Sequence, residues 1–225
     1  MTRVIGHRGA PRRDRENTVA GFRTAARLGC DGIELDVRRT SDGRLVVHHD
    51  PVLADGRTIV ATPFAELPDH VPTLEAALDA CAGVAVVNVE IKNDPREPDF
   101  DDSEGVAVAT VAVLLHRRSE RFLISSFRRA TIDRCRAIAP ELPTAFLCTQ
   151  PPPGVLRDLA RAGHAAIHPY YSAIDGAFIG EAHAEGVEVN VWTCDDPDAM
   201  RLLIDAGVDG ICTNVPDLAL ELLGR

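Results

Sequence analysis

The sequence predicts an α/β protein, a closed (β/α)₈ barrel carrying one small hairpin after its second strand. Three observations point there. Short apolar, often β-branched runs alternate with amphipathic helical stretches eight times, the signature of repeated βα units around a parallel sheet. The 225 residues suit a single barrel domain over 1–225, since such barrels take roughly 250 residues. The polar residues with chemical potential fall at the ends of the strand-like runs, where barrel enzymes keep their reacting groups.

In chain order the strands are expected over 4–7, 32–37, 84–91, 122–125, 144–148, 165–168, 187–192 and 210–213. Helical patterns separate and follow them over 18–28, 73–82, 104–117, 129–138, 154–162, 176–185, 197–206 and 216–222. A ninth apolar run at 45–48 lies only eight residues beyond Asp36, and a parallel crossover needs about a dozen. It must return antiparallel, with Asp42-Gly43 as the turn. A register centred there sets His49 roughly opposite Asp36. The Pro-rich stretches 93–103 and 150–154 read as loops, too short to divide domains.

Composition narrows the function. A 45% hydrophobic fraction and 26% charged residues of mixed sign describe a folded protein. The net charge of −10 argues against nucleic acid, which needs a basic face. An anionic ligand would instead need a cation among the acidic groups. Lys92 is the only lysine, the other 23 basic residues being arginine. The six cysteines are scattered with no zinc spacing, so buried thiols are expected. The N-terminus enters a strand at once and no apolar run approaches the roughly 20 residues of a membrane span. The expected setting is the cytoplasm, without stable membrane association.

Residues two apart on a strand share a face, so Glu34 pairs with Asp36, and Glu90 with Lys92. Three carboxylates inside a barrel are costly without a partner. Glu34, Asp36 and Glu90 form an all-oxygen set suited to a hard divalent cation, Mg²⁺ or Ca²⁺, the alternative being an ion-pair network with Arg8 and Lys92. His7 and His49 make a natural proton-transfer pair, because imidazole titrates near neutrality. Arg8 and Lys92 suit a phosphoryl oxygen. Asn17 and Thr18 compete to cap the first helix, and Asn17 can also support the site. Trp192, the sole tryptophan, is either a platform for the substrate's alcohol portion or core packing. Alternation turns His48 away from His49, and His168 ends the sixth strand of the barrel.

Together these segments resemble the glycerophosphodiester phosphodiesterase family. The resemblance rests on His7-Arg8-Gly9, Glu16-Asn17-Thr18, the run from Gly29 to Val37, Val46 to Pro51 and Val89-Glu90-Ile91-Lys92. Weaker echoes follow at Ile124 to Phe127, Val191-Trp192-Thr193 and Gly207 to Ile211. It implies a phosphodiesterase-type TIM barrel that hydrolyses a glycerophosphodiester, a small-molecule substrate, to an alcohol and glycerol 3-phosphate. One route uses the glycerol 2-hydroxyl as internal nucleophile, through a cyclic phosphate that water opens. Glu34, Asp36 and Glu90 would hold the metal, His7 and His49 would be the acid–base pair, and Arg8 and Lys92 would bind phosphate. Competing possibilities are a related barrel phosphodiesterase acting on lysophospholipids or phosphoinositides, and a non-catalytic phosphodiester-binding barrel. The chain departs from the usual pattern at Arg15, where proline is common, at Cys194-Asp195, where Val-Asn is common, and at Asn214, where aspartate is common. The 50–71 segment leaves no room for the small inserted domain of some relatives.

Overall fold

The structure, a computed structural model, describes residues 1–117 and 121–225. Among them nine strands run as β1 (Arg3–Gly6), β2 (Gly32–Arg39), β3 (Leu45–Val47), β4 (Val86–Ile91), β5 (Phe122–Ser126), β6 (Thr144–Cys148), β7 (Ala166–Pro169), β8 (Glu188–Val191) and β9 (Gly210–Thr213). Eight helices alternate with them: α1 (Val19–Leu28), α2 (Leu74–Ala80), α3 (Gly105–Leu115), α4 (Arg129–Ile138), α5 (Val155–Ala162), α6 (Gly176–Ala184), α7 (Pro197–Asp205) and α8 (Pro216–Leu222).

All strands but β3 pair in parallel, and β1 bonds both β9 and β2, which closes the barrel. The expected architecture is present, with β3 outside the closed ring. Strand periodicity explains how it stands. Along β2 and β4, Ile33, Leu35, Val37, Val87, Val89 and Ile91 pack outward against Phe22, Leu74, Leu78, Val111 and Leu114 in one apolar cluster. A second cluster joins Ile132, Leu159, Ile179 and Met200 to Ile167, Val189, Val191 and Ile211 on the other side of the ring. The alternate positions of β2 and β4, Glu34, Asp36, Arg38, Asn88 and Glu90, are buried polar residues that face the barrel axis. Apolar burial against the helices thus fixes where the polar set must point.

The hairpin differs from expectation by one residue. Val37 pairs with Val47 and Arg39 with Leu45, and the His48 amide donates to the Asp36 carbonyl at 2.9 Å. His48, not His49, is opposite Asp36. The reason is a three-residue loop, Ser41 to Gly43, closed by Thr40 N–H to Arg44 O at 2.9 Å with Gly43 left-handed at φ 82°, one of the common hairpin connections. Beyond β3, segment 50–71 packs Leu53, Ile59, Leu67 and Val71 against Val46 of β3 in a small separate core.

Candidate active site

The turn after β1 brings the first groups together. Gly9 has φ 93°, and a Cβ there would lie 2.7 Å from the Gly21 carbonyl carbon of α1, so only glycine lets this turn pack. Arg8 and Asn17 are both left-handed at φ 54°, a conformation costly for residues with side chains. They are tied to each other by the Asn17 amide donating to the Arg8 carbonyl at 3.0 Å. Both side chains converge on Asp36. Asn17 Nδ2 donates to Oδ2 at 2.7 Å, and Arg8 Nε lies 3.3 Å from the same oxygen. Thr18 is the helix cap, its hydroxyl accepting from Gly21 N–H at 3.1 Å. Asn17 is therefore a site residue.

Glu34, Asp36 and Glu90 are nearly inaccessible, at 4%, 1% and 7% exposure, and each offers an oxygen within 4.8 Å of the others. Lys92 pairs with Glu90 and lies 2.9 Å from Asp36 Oδ1. Arg8 bridges Asp36 and Glu16. The ion-pair network considered as an alternative is thus present, but it does not neutralise the cluster: three carboxylates face two cations. The deficit falls on Glu34, whose Oε2 accepts the Arg8 amide at 2.8 Å while Oε1 is buried without a partner. Burial raises the Glu34 carboxyl well above its usual range, with Asp36 and Glu90 adding to it. Burial also raises Glu90. Asp36 is driven the other way, because Lys92 and Arg8 together outweigh its burial. A buried oxygen with no donor and one uncompensated negative charge fits a divalent cation bound among these three residues.

Two histidines open on the same cavity, of about 270 Å³, as Arg8, Glu34, Glu90 and Lys92. His7 Nδ1 bonds Asn214 Oδ1 at 2.8 Å, and His49 Nδ1 bonds Asp50 Oδ1 at 2.7 Å. Both imidazoles are lowered, His7 by burial and then Arg8, His49 by burial and then Lys92. His48 instead lines a neighbouring groove with Arg15 and His70. The loop carrying His49 is held by Arg38, 1% exposed, whose Nε and Nη2 donate to the His49 carbonyl at 2.8 and 2.5 Å. Its Nη1 reaches Glu97 and Asp99 at 2.9 and 2.5 Å, so one guanidinium ties the hairpin to the 93–104 loop.

Trp192 also lines the cavity, just past β8. Its indole N–H donates to the His168 carbonyl at 2.8 Å, and its ring meets Phe127 and Tyr170 edge-on, with centroids 5.3 and 5.5 Å away. Asn88, His168 and Asn190 form a polar layer deeper in the barrel.

The model of the glycerophosphoryl diester phosphodiesterase family matches residues 7–218. The chain belongs to that family. A glycerophosphodiester phosphodiesterase from Caldanaerobacter subterraneus is 31% identical, across 100% of this chain and 98% of its own length. Among solved structures, a phosphodiesterase from Oleispira antarctica in complex with the product sn-glycerol-3-phosphate superposes with TM-score 0.90 at 25% identity, covering 100% of this chain and 98% of that one. A glycerophosphodiester phosphodiesterase from Parabacteroides distasonis gives 0.86 at 25% identity, covering 99% and 97%. This member is thus an enzyme, a phosphodiesterase.

Several residues of this phosphodiesterase's site escape a sequence reading. Arg38 continues the inward face of Glu34 and Asp36, and that period was the available signal. Asn88, two residues before Glu90, and Asn190, two before Trp192, carry the same signal. His168 is buried, and burial holds its imidazole down at about 3, Arg3 adding to the effect; Nε2 accepts from Asn190 Nδ2 at 3.0 Å. The unfolded chain takes up this proton below about pH 6.5, whereas the folded protein refuses it. Stability from this group is complete above about pH 6.5 and falls as pH drops toward 3. Between pH 7 and 5 the loss is about 2 kcal/mol, so His168→Gln should show a correspondingly shallower fall in urea denaturation. Equal losses in the two proteins would contradict this.

Proposed function

We propose that this barrel hydrolyses glycerophosphodiesters to an alcohol and glycerol 3-phosphate with a divalent cation, Mg²⁺ or Ca²⁺, and two histidines. Glu34, Asp36 and Glu90 hold the cation, which when bound would offset charge gathering on the phosphoryl oxygens. Arg8 and Lys92 orient those oxygens and share that charge. One imidazole takes the proton of the attacking hydroxyl and the other delivers a proton to the leaving alcohol, His7 and His49 serving as the pair. The accepting imidazole must be neutral, and the donating one must carry a proton on the nitrogen that faces the cavity. Trp192, with Phe127 beside it, receives the alcohol portion.

The observation that carries this reading is the convergence of both imidazoles on one cavity with Glu34 and Glu90, two members of the under-compensated carboxylate trio. The product-bound Oleispira relative supports the substrate class. One catalytic domain over 1–225 and a cytoplasmic setting complete the proposal: all six cysteines are buried thiols, which suits a reducing compartment. Among the described residues, no helix is long and apolar enough to cross a membrane.

The test is a substrate panel with Mg²⁺ or Ca²⁺ present. Glycerophosphocholine, glycerophosphoethanolamine or glycerophosphoglycerol should release glycerol 3-phosphate, measured enzymatically, faster than lysolipid micelles release product. Preference for micelles would move the assignment to a lipid-acting barrel, and no turnover of any diester would point to a binding protein.

A further inference from the structure

We infer that Asn214 and Asp195 are positioning residues that fix the tautomer of His7, leaving Nε2 as the nitrogen that faces the substrate. The inference rests on the reading of His7 as a proton carrier, and deepens it.

The geometry is a chain of three side chains. His7 Nδ1 is 2.8 Å from Asn214 Oδ1. Asn214 Nδ2 donates to Asp195 Oδ2 at 2.8 Å. Asp195 Oδ1 is itself saturated, accepting from the Asn214 amide at 2.8 Å and from the Thr213 hydroxyl at 2.9 Å. A carboxylate only accepts, so the Asn214 amide has one orientation: its NH₂ toward Asp195, its oxygen toward His7. Reversing it would set two oxygens against each other at hydrogen-bond distance. Asn214 Oδ1 likewise only accepts, so His7 Nδ1 carries the hydrogen, and the lone pair of the neutral ring is on Nε2. Asp195 thus dictates the protonation pattern of an imidazole that it does not touch.

The carboxylate of this chain is one link away from the ring. His7 is thereby backed by a neutral amide, whereas His49 is backed directly by Asp50.

The hydrogen-bond chain gives a sharp experiment. In Asp195→Asn, the Thr213 hydroxyl and Asn214 amide still demand an acceptor, so the new side chain keeps its oxygen there and turns its NH₂ toward Asn214. Two NH₂ groups then meet, Asn214 flips, and its NH₂ donates to His7 Nδ1. The ring must switch to the Nε2–H tautomer. Long-range ¹H–¹⁵N spectra of histidine-labelled protein at about pH 8, above the ordinary imidazole range, report the tautomer. The His7 signal is assigned by its loss in His7→Gln.

The expected results are Nδ1–H in wild type and Nε2–H in Asp195→Asn. Turnover of the variant should drop roughly a hundredfold or more with KM little changed, as when a triad's orienting carboxylate becomes an amide. The double exchange N214D/D195N should restore both the Nδ1–H tautomer and turnover. Wild-type His7 in the Nε2–H form, or an unchanged tautomer in a folded Asp195→Asn protein, would overturn the inference; the wild-type spectrum decides even where the variant does not fold. A tautomer switch with undiminished turnover would support the relay and instead overturn His7 as a proton carrier.

Discussion

His49→Ala should lower kcat roughly 10²- to 10⁴-fold, the range for losing a general acid or base, while cation binding and fold stay nearly intact. His49 is placed by its backbone as much as by its ring. Its carbonyl is clasped by the buried Arg38, and alanine keeps that carbonyl. The ring itself makes one hydrogen bond, to Asp50, a residue whose side chain is 69% exposed. Removing the ring therefore deletes a proton carrier without opening the core or disturbing the carboxylates. Steady-state kinetics across a cation titration checks this. Turnover should fall at every cation concentration, with the half-saturating concentration unchanged. A variant that turns over normally but responds poorly to cation would reverse the assigned roles.

Glu34→Gln should do the opposite to the cation. Its amide oxygen can still accept the Arg8 amide, so the turn after β1 survives, but the unpartnered Oε1 becomes an NH₂ that repels a cation. Affinity should weaken roughly a hundredfold, because ligand charge governs binding at all-oxygen sites. Thermal melting gives a readout independent of catalysis. Wild type at a cation concentration about 100 times Kd gains about 2.7 kcal/mol, a rise in Tm of about 5 to 10 °C for a chain of this size. At the same concentration the variant should gain almost nothing. Without cation it should melt no lower than wild type, since the substitution puts a neutral amide in place of the carboxyl that Arg8 and Lys92 leave uncompensated and that burial disfavours in its charged form. A cation-dependent rise of equal size in both proteins would remove Glu34 from the metal site.

The barrel was legible because strand alternation and chemistry agree: apolar Ile33, Leu35 and Val37 must meet helices, so Glu34 and Asp36 must face inward. The same period pointed to Glu90 and Lys92. What the pattern could not supply was register and partnership. His49 was expected opposite Asp36, but a left-handed Gly43 closes a three-residue loop and sets His48 there. His49 still joins the site, because the chain beyond β3 leaves the ladder and Arg38 directs it. Asn17 was ambiguous because capping and site support both begin from the same place after a turn. Thr18 takes the cap only because Asn17 is left-handed and aimed at Asp36. Asn214 and Asp195 stood out as departures at two separate places, 19 residues apart. Only the neighbouring ends of β8 and β9 make them one unit.

The most direct test of the central claim is the rate of glycerol 3-phosphate release from a water-soluble glycerophosphodiester by protein stripped with a chelator and then reloaded. The account predicts that release stops after stripping and returns with Mg²⁺ or Ca²⁺ in wild type, but stays low on reloading in His7→Ala and His49→Ala. Undiminished release from the stripped protein, or full activity in either histidine variant, would contradict it.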